Sequence, residues 1–142
     1  METKIYRPVD SEQQIRRLHL YIKKWNKEHK ASRQQIKAQH MQTAEMLVKI
    51  ALQQDIQFNK ATHLMDLVYA DGVAKAGTFN ANGAAIAKRL NLHRKSLDNH
   101  LKRLKEAGIA ASFSDPANGR MIRAGGKHNE TLFAINKAFF ID

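Results

Sequence analysis

Seven cations and one acid occupy the eighteen residues from Lys88 to Lys105. The cations are Lys88, Arg89, Arg94, Lys95, Lys102, Arg103 and Lys105, the acid is Asp98, and the net charge is +6. A run this dense repels itself unless an anion lies against it. The residue types also suit recognition. An Asn amide pairs twice with an adenine edge, and Lys or Arg bonds the two acceptors of guanine. Arg94, Lys95, Ser96 and Asn99 are therefore the candidates for contact with base edges. Lys88, His93, Lys102 and Arg103 are the candidates for phosphate contact, which positions a protein without reading sequence. A charged run is commonly a solvated helix face, so the case turns on the elements that carry it.

Those elements read as two helices. Asn82 is a suitable N-cap for a short helix with Ile86 and Leu90 facing inward, and Ala87 is small enough for another helix to cross closely. Asn91-Leu92-His93 interrupts the pattern for three residues. A second helix then runs from Arg94 to Ala107, with Leu97, Leu101 and Leu104 as its apolar stripe, and Gly108 ends it. At about 100° per residue, Leu101 and Leu104 fall within about 40° of Leu97. Lys95, Asn99, Lys102 and Arg103 fall about 140–240° away, on the opposite face. Two helices joined by a turn of three to four residues, the second one basic, form the helix-turn-helix pattern, in which the first turns of the second helix enter the major groove.

The stretch IAKRLNLHRKSLDNHLKRLKEAGIA, residues 86–110, resembles the winged helix-turn-helix of bacterial transcription regulators. Leu101, Leu104, Ala107, Gly108 and Ile109 match its ending, and Ala87 matches the small residue at the helix crossing. The resemblance covers about half the chain. It is specific for fold and weak for biological role, because the motif serves many proteins. It implies a β-hairpin next. Ile109, Ala111 and Phe113 alternate with period two as an inward face, and Asp115-Pro116-Ala117-Asn118-Gly119 is a turn signal. After a second turn signal at Gly125–Asn129, Thr131, Phe133 and Ile135 form another alternating run. The segment between is either one long wing, the preferred reading, or a three-stranded meander. Arg120, Arg123 and Lys127 on it are candidates for phosphate or minor-groove contact.

The remaining elements are read by the same rules. Ser11 with Gln14, and Ser32 with Gln35, are capping-box patterns that open helices over 11–30 and 33–58. Ile15, Leu18, Ile22 and Trp25 line one face of the first helix. The centre of the second, Met46 to Leu52, is apolar nearly all round. It serves either as a subunit interface or as packing between the first helix and the C-terminal part. A third helix is expected over Thr62–Ala70, with Leu64, Leu67 and Val68 inward and Asp71-Gly72 ending it. Residues 73–81 read as a loop with a short strand around Thr78–Asn80.

The expected fold is mainly α with a small antiparallel β-wing: an N-terminal helical extension, residues 1–60, and a winged helix-turn-helix, residues 61–142. Regulators resembling this core pair through helices after the wing. Only Lys137 to Asp142 follow the last strand here, so a homodimer is expected through the N-terminal helices, with recognition helices roughly 34 Å apart. The expected partner is double-stranded DNA and the expected role transcription regulation in the cytoplasm, on the nucleoid. Replication or partition of a plasmid or phage is the alternative, and a protein-interaction winged helix the second. The charge of +11 in 142 residues favours a polyanion. With no cysteine, thiol catalysis, disulfides and Cys-ligated zinc are excluded. The seven histidines show no His-x-x-x-His pair, so no metal is expected. No nucleophile–base grouping or Gly-rich phosphate loop stands out, so no enzyme and no cofactor is expected. No apolar run is long enough to cross a membrane.

Overall fold

The computed structural model describes residues 5–6, 12–30, 34–54, 56–57, 67–69, 72–113 and 130–140. Four helices lie within these residues: α1 (Glu12–Glu28), α2 (Ala38–Gln53), α3 (Gly83–Arg89) and α4 (Arg94–Glu106). The strands are β1 (Ile5–Tyr6), β2 (Ile56–Gln57), β3 (Leu67–Tyr69), β4 (Gly72–Ala74), β5 (Ala76–Asn82), β6 (Ala110–Phe113) and β7 (Glu130–Asn136). The helices stand with an antiparallel sheet, an α+β arrangement. Its strand order is β1-β2-β5-β7-β6, and β3 pairs with β4 in a separate hairpin.

The buried apolar residues form two clusters on the two faces of the sheet, and β3 of the second cluster also lies beside α4. Phe79, Ala81, Ala110, Phe133 and Ile135 face the helices and join Leu18, Ile22, Trp25, Leu47, Val48, Ile86, Leu97, Leu101 and Leu104 in the main core. On the other face, Ala76, Ala111 and Ala134 meet Leu67 and Ala74 of the hairpin. Alanines on that face let the hairpin approach closely. The main core draws on residues from Leu18 to Phe140, and the expected domain boundary near residue 60 lies outside the described residues.

Several expectations are corrected. The helix expected over Thr62–Ala70 is not formed where the chain is described: Leu67–Tyr69 is strand β3, paired with Gly72–Ala74 in the register Leu67↔Ala74, Val68↔Val73 and Tyr69↔Gly72. Two short runs flanking Ala70-Asp71 satisfy a hairpin as well as a helix end, and the second strand decides. Residues 62–66, with Leu64, lie outside the described residues. The loop expected over 73–81 contains most of β4 and of β5, and the short strand expected around Thr78–Asn80 lies inside β5. Strand β5 pairs along its whole length with β7, from Ala76↔Asn136 to Asn82↔Glu130. Its small residues have little β-propensity, and burial on both faces overrides that.

The helix expected over 33–58 starts later and ends sooner. Residues 34–36 are held outside the helix, against the end of α1. The Trp25 indole N–H donates to the Gln34 carbonyl at 2.8 Å, and the Asn26 amide exchanges two bonds with the Ile36 backbone at 2.9 and 2.7 Å. Gln35 donates to the Lys30 carbonyl instead of closing a capping box. At the other end, Gln54 is extended (φ −124°, ψ 170°) and the chain enters β2. Ser11 and Ser32, the expected caps, lie outside the described residues. The apolar girth of α2 is taken up within one chain: α1 packs on one side, α4 on the other, and Ala44, Leu47, Val48 and Ala51 are fully buried.

Ile109 and Ala111, expected with Phe113 on one inward face, do not share one. The Ile109 N–H closes the end of α4 on the Leu104 carbonyl at 2.8 Å, so the strand alternation begins at Ala110. Ala110 then faces the helices, and Ala111 faces the hairpin. The Phe113 side chain lies outside the described residues.

Candidate nucleic-acid interface

The α3–turn–α4 segment is built by local rules. The Asn82 side chain accepts from the Ala85 N–H at 3.1 Å and caps α3. At the far end, Asn91 adopts a left-handed φ of 59°. Its N–H donates to the Lys88 carbonyl at 3.0 Å, and the Leu92 N–H donates to the Ala87 carbonyl at 2.8 Å. That pair of bonds is a Schellman motif, and it reverses the chain in a few residues. The end of α4 repeats it. Gly108 has φ 70°, and the N–H groups of Gly108 and Ile109 donate to the carbonyls of Lys105 and Leu104. Ala87, 3% exposed, lies where its small side chain permits close packing.

Helix α4 is anchored by its leucines. Leu97 and Leu104 are fully buried and Leu101 is 3% exposed. On the opposite face Lys95, Asn99 and Lys102 are exposed, with Ser96 partly so. Arg103 is half-buried, with Glu106 3.7 Å from its guanidinium. Lys88 and His93 are exposed. They line an open depression of about 400 Å³ at the corner between α3 and α4, together with Leu92 and Arg94.

Arg94 is engaged within the chain. Its guanidinium donates to Asp98 at 2.5 Å, one turn along the same helix. It also lies over Gly83, where a Cβ would sit 2.7 Å from Nη2. Arg94 thus ties the start of α3 to the first turn of α4, and Lys95, Ser96 and Asn99 are the base-edge candidates whose side chains have no such tie among the described residues. The first turn of α4 carries no acid, and its N-cap, His93, makes no side-chain capping bond. Cations at a helix N-terminus oppose the macrodipole, so an external anion near Lys95 stabilises the helix as well as the pair.

Three contacts far apart in sequence hold α4 in place. The Tyr21 hydroxyl of α1 donates to the Ala107 carbonyl at 2.6 Å. The buried Asn136 amide donates to the Gly108 carbonyl at 2.9 Å. On the α2 side, His100 Nδ1 lies 2.9 Å from the Thr43 hydroxyl, and its ring meets that of His40 edge-on at 5.0 Å. Burial lowers the His100 pKa. His40 drops from 6.5 to about 4 through burial first, then the nearby charges of His100, Arg103 and Lys37. His40 Nδ1 also accepts the Lys37 backbone N–H at 3.1 Å. His100 therefore packs against α2. None of these links leaves a local sequence signal: Tyr21 reads as part of the α1 pattern, and His40 and His100 lie in separate helices.

Strands β6 and β7 pair directly, from Ala110↔Ile135 to Phe113↔Leu132. Strand β6 ends at Phe113 and β7 begins at Glu130. Arg120, Arg123 and Lys127, the wing candidates, lie outside the described residues. No known protein family matches the chain, and no curated protein or solved structure does either.

Proposed function

We propose that this protein binds double-stranded DNA as a winged helix-turn-helix, with α4 in the major groove, and acts as a transcription regulator. One observation carries the reading. The α4 leucines are buried while Lys95, Asn99 and Lys102 stand exposed on the reverse face of the same helix. Lys95 and Asn99 lie in its first two turns, the part of such a helix that reaches base edges. Lys102, Lys88 and His93 flank them as phosphate contacts. The α3–α4 corner and the β6–β7 pair that follows α4 support this reading. Transcription regulation is the role most often served by such a module; replication or partition of a mobile element uses the same contacts.

Duplex binding followed by fluorescence anisotropy at rising salt tests the reading. Three phosphate contacts weaken binding about fortyfold between 50 and 200 mM salt. Asn99→Ala should reduce preference for a selected site over random duplex by about 1–3 kcal/mol. A flat salt response contradicts DNA as the partner. Equal loss on both duplexes contradicts base contact by Asn99.

A further inference from the structure

A second cationic surface lies on α1, outside the α3–α4 segment. Arg16, Lys23 and Lys27 fall within an arc of about 60° on its outer face, with Lys24 beside them. All four are exposed. The buried residues Leu18, Ile22 and Trp25 occupy the opposite side. None of the four cations has an ion-pair partner among the described residues, although Glu12 and Glu28 stand at the two ends of the helix. Lys49 of α2 lines the same open groove as Arg16, His19 and one acid, Glu12, and Glu45 nearby is engaged by His19 at 2.7 Å. The patch therefore spans two helices.

We infer that this face of α1 is a second contact surface for the phosphate backbone of duplex DNA. Charge complementarity selects the occupant. A second copy of the chain would bring like charge against like. An anionic membrane is disfavoured, because interfacial helices insert a broad apolar face. Here the apolar face of α1 is consumed by the core, and Leu20, 61% exposed, is the only exposed large apolar residue among those described. Flexible ammonium groups without fixed polar neighbours suit phosphates and carry no sequence information. The contact thus adds affinity without adding specificity. It shares its ligand with the reading of α4, but rests on different residues.

The test compares the whole wild-type chain, the triple variant Arg16→Ala/Lys23→Ala/Lys27→Ala and the triple variant Lys95→Ala/Asn99→Ala/Lys102→Ala. Binding is measured on a selected duplex, a random duplex and phosphatidylserine vesicles. All substitutions are at exposed sites, and thermal melts verify that the fold is kept. The α1 variant should lose affinity equally for both duplexes. Its log–log salt slope should be shallower than wild type by about 2–3, with unchanged site preference. An α1 variant with wild-type affinity and slope overturns the inference while leaving α4 standing. Loss in the α1 variant alone, with the α4 variant unaffected, supports the inference and overturns α4. Binding to vesicles that needs the α1 cations, with none to DNA, assigns the surface to membranes and overturns it. A wild-type chain that binds neither duplex overturns both.

Discussion

Asn91 shows how one residue shapes the candidate interface. The reversal between α3 and α4 needs a left-handed residue, and Asn91 supplies it at φ 59°. Asn tolerates this region better than most residues, and Gly adopts it freely. Asn91→Ala should cost about 1 kcal/mol in chemical denaturation, and Asn91→Gly should leave the midpoint nearly unchanged. Equal midpoints for the Ala variant and wild type would show that the turn is not under this constraint. Arg94 illustrates the limit of reading single residues. Its type and position suit a base edge, yet it is committed to Asp98 and Gly83. The Asp98 half follows i, i+4 helix spacing, but the Gly83 half crosses the turn and depends on a missing Cβ, which no spacing rule contains.

Among the elements, α3 and α4 were the most legible because their cues are local: a capping Asn, a leucine stripe, a three-residue interruption and a terminal glycine. The strands were the least legible. β3 and β4 are three residues each, and β5, rich in small residues, forms because β7, distant in sequence, pairs along it and both its faces are buried. The bounds of α2 were misread for the same reason, since Trp25 and Asn26 of α1 hold residues 34–36 out of the helix. The α2–α4 contact is also an element-scale feature with a pH signature. In the unfolded chain His40 takes up a proton near its ordinary 6.5, whereas in the fold it resists until about 4. The unfolded state therefore binds more protons across that window, and stability falls as pH drops from about 6.5 to 4. His100 acts in the same direction. The His40 ring is half-buried, so solvent screening limits its share to about 1 kcal/mol. Thermal melts of wild type and His40→Gln across this range check it. The variant should show the flatter dependence, and identical slopes would contradict the assignment.

At the scale of the whole molecule, the fold acts as a frame for one helix. The main core reaches α4 from α1, α2, α3 and the sheet. Tyr21 and Asn136 fix its C-terminal end, and His100 fixes its flank. What stays exposed is the face bearing Lys95, Asn99 and Lys102. Net charge is the sequence's argument for a polyanionic partner, and only the structure separates the cations into an α4 face and an α1 face. The expectation of a subunit contact through α2 drew on its apolar girth, and α1 and α4 account for that girth. The central claim is that the α4 face meets the duplex. Backbone amide NMR shifts followed during titration with duplex DNA test it most directly. The account predicts that the largest shifts fall on Lys95, Ser96, Asn99 and Lys102, with those of α1 smaller and lost first as salt rises. Saturable DNA binding that leaves the α4 amides unmoved would contradict it.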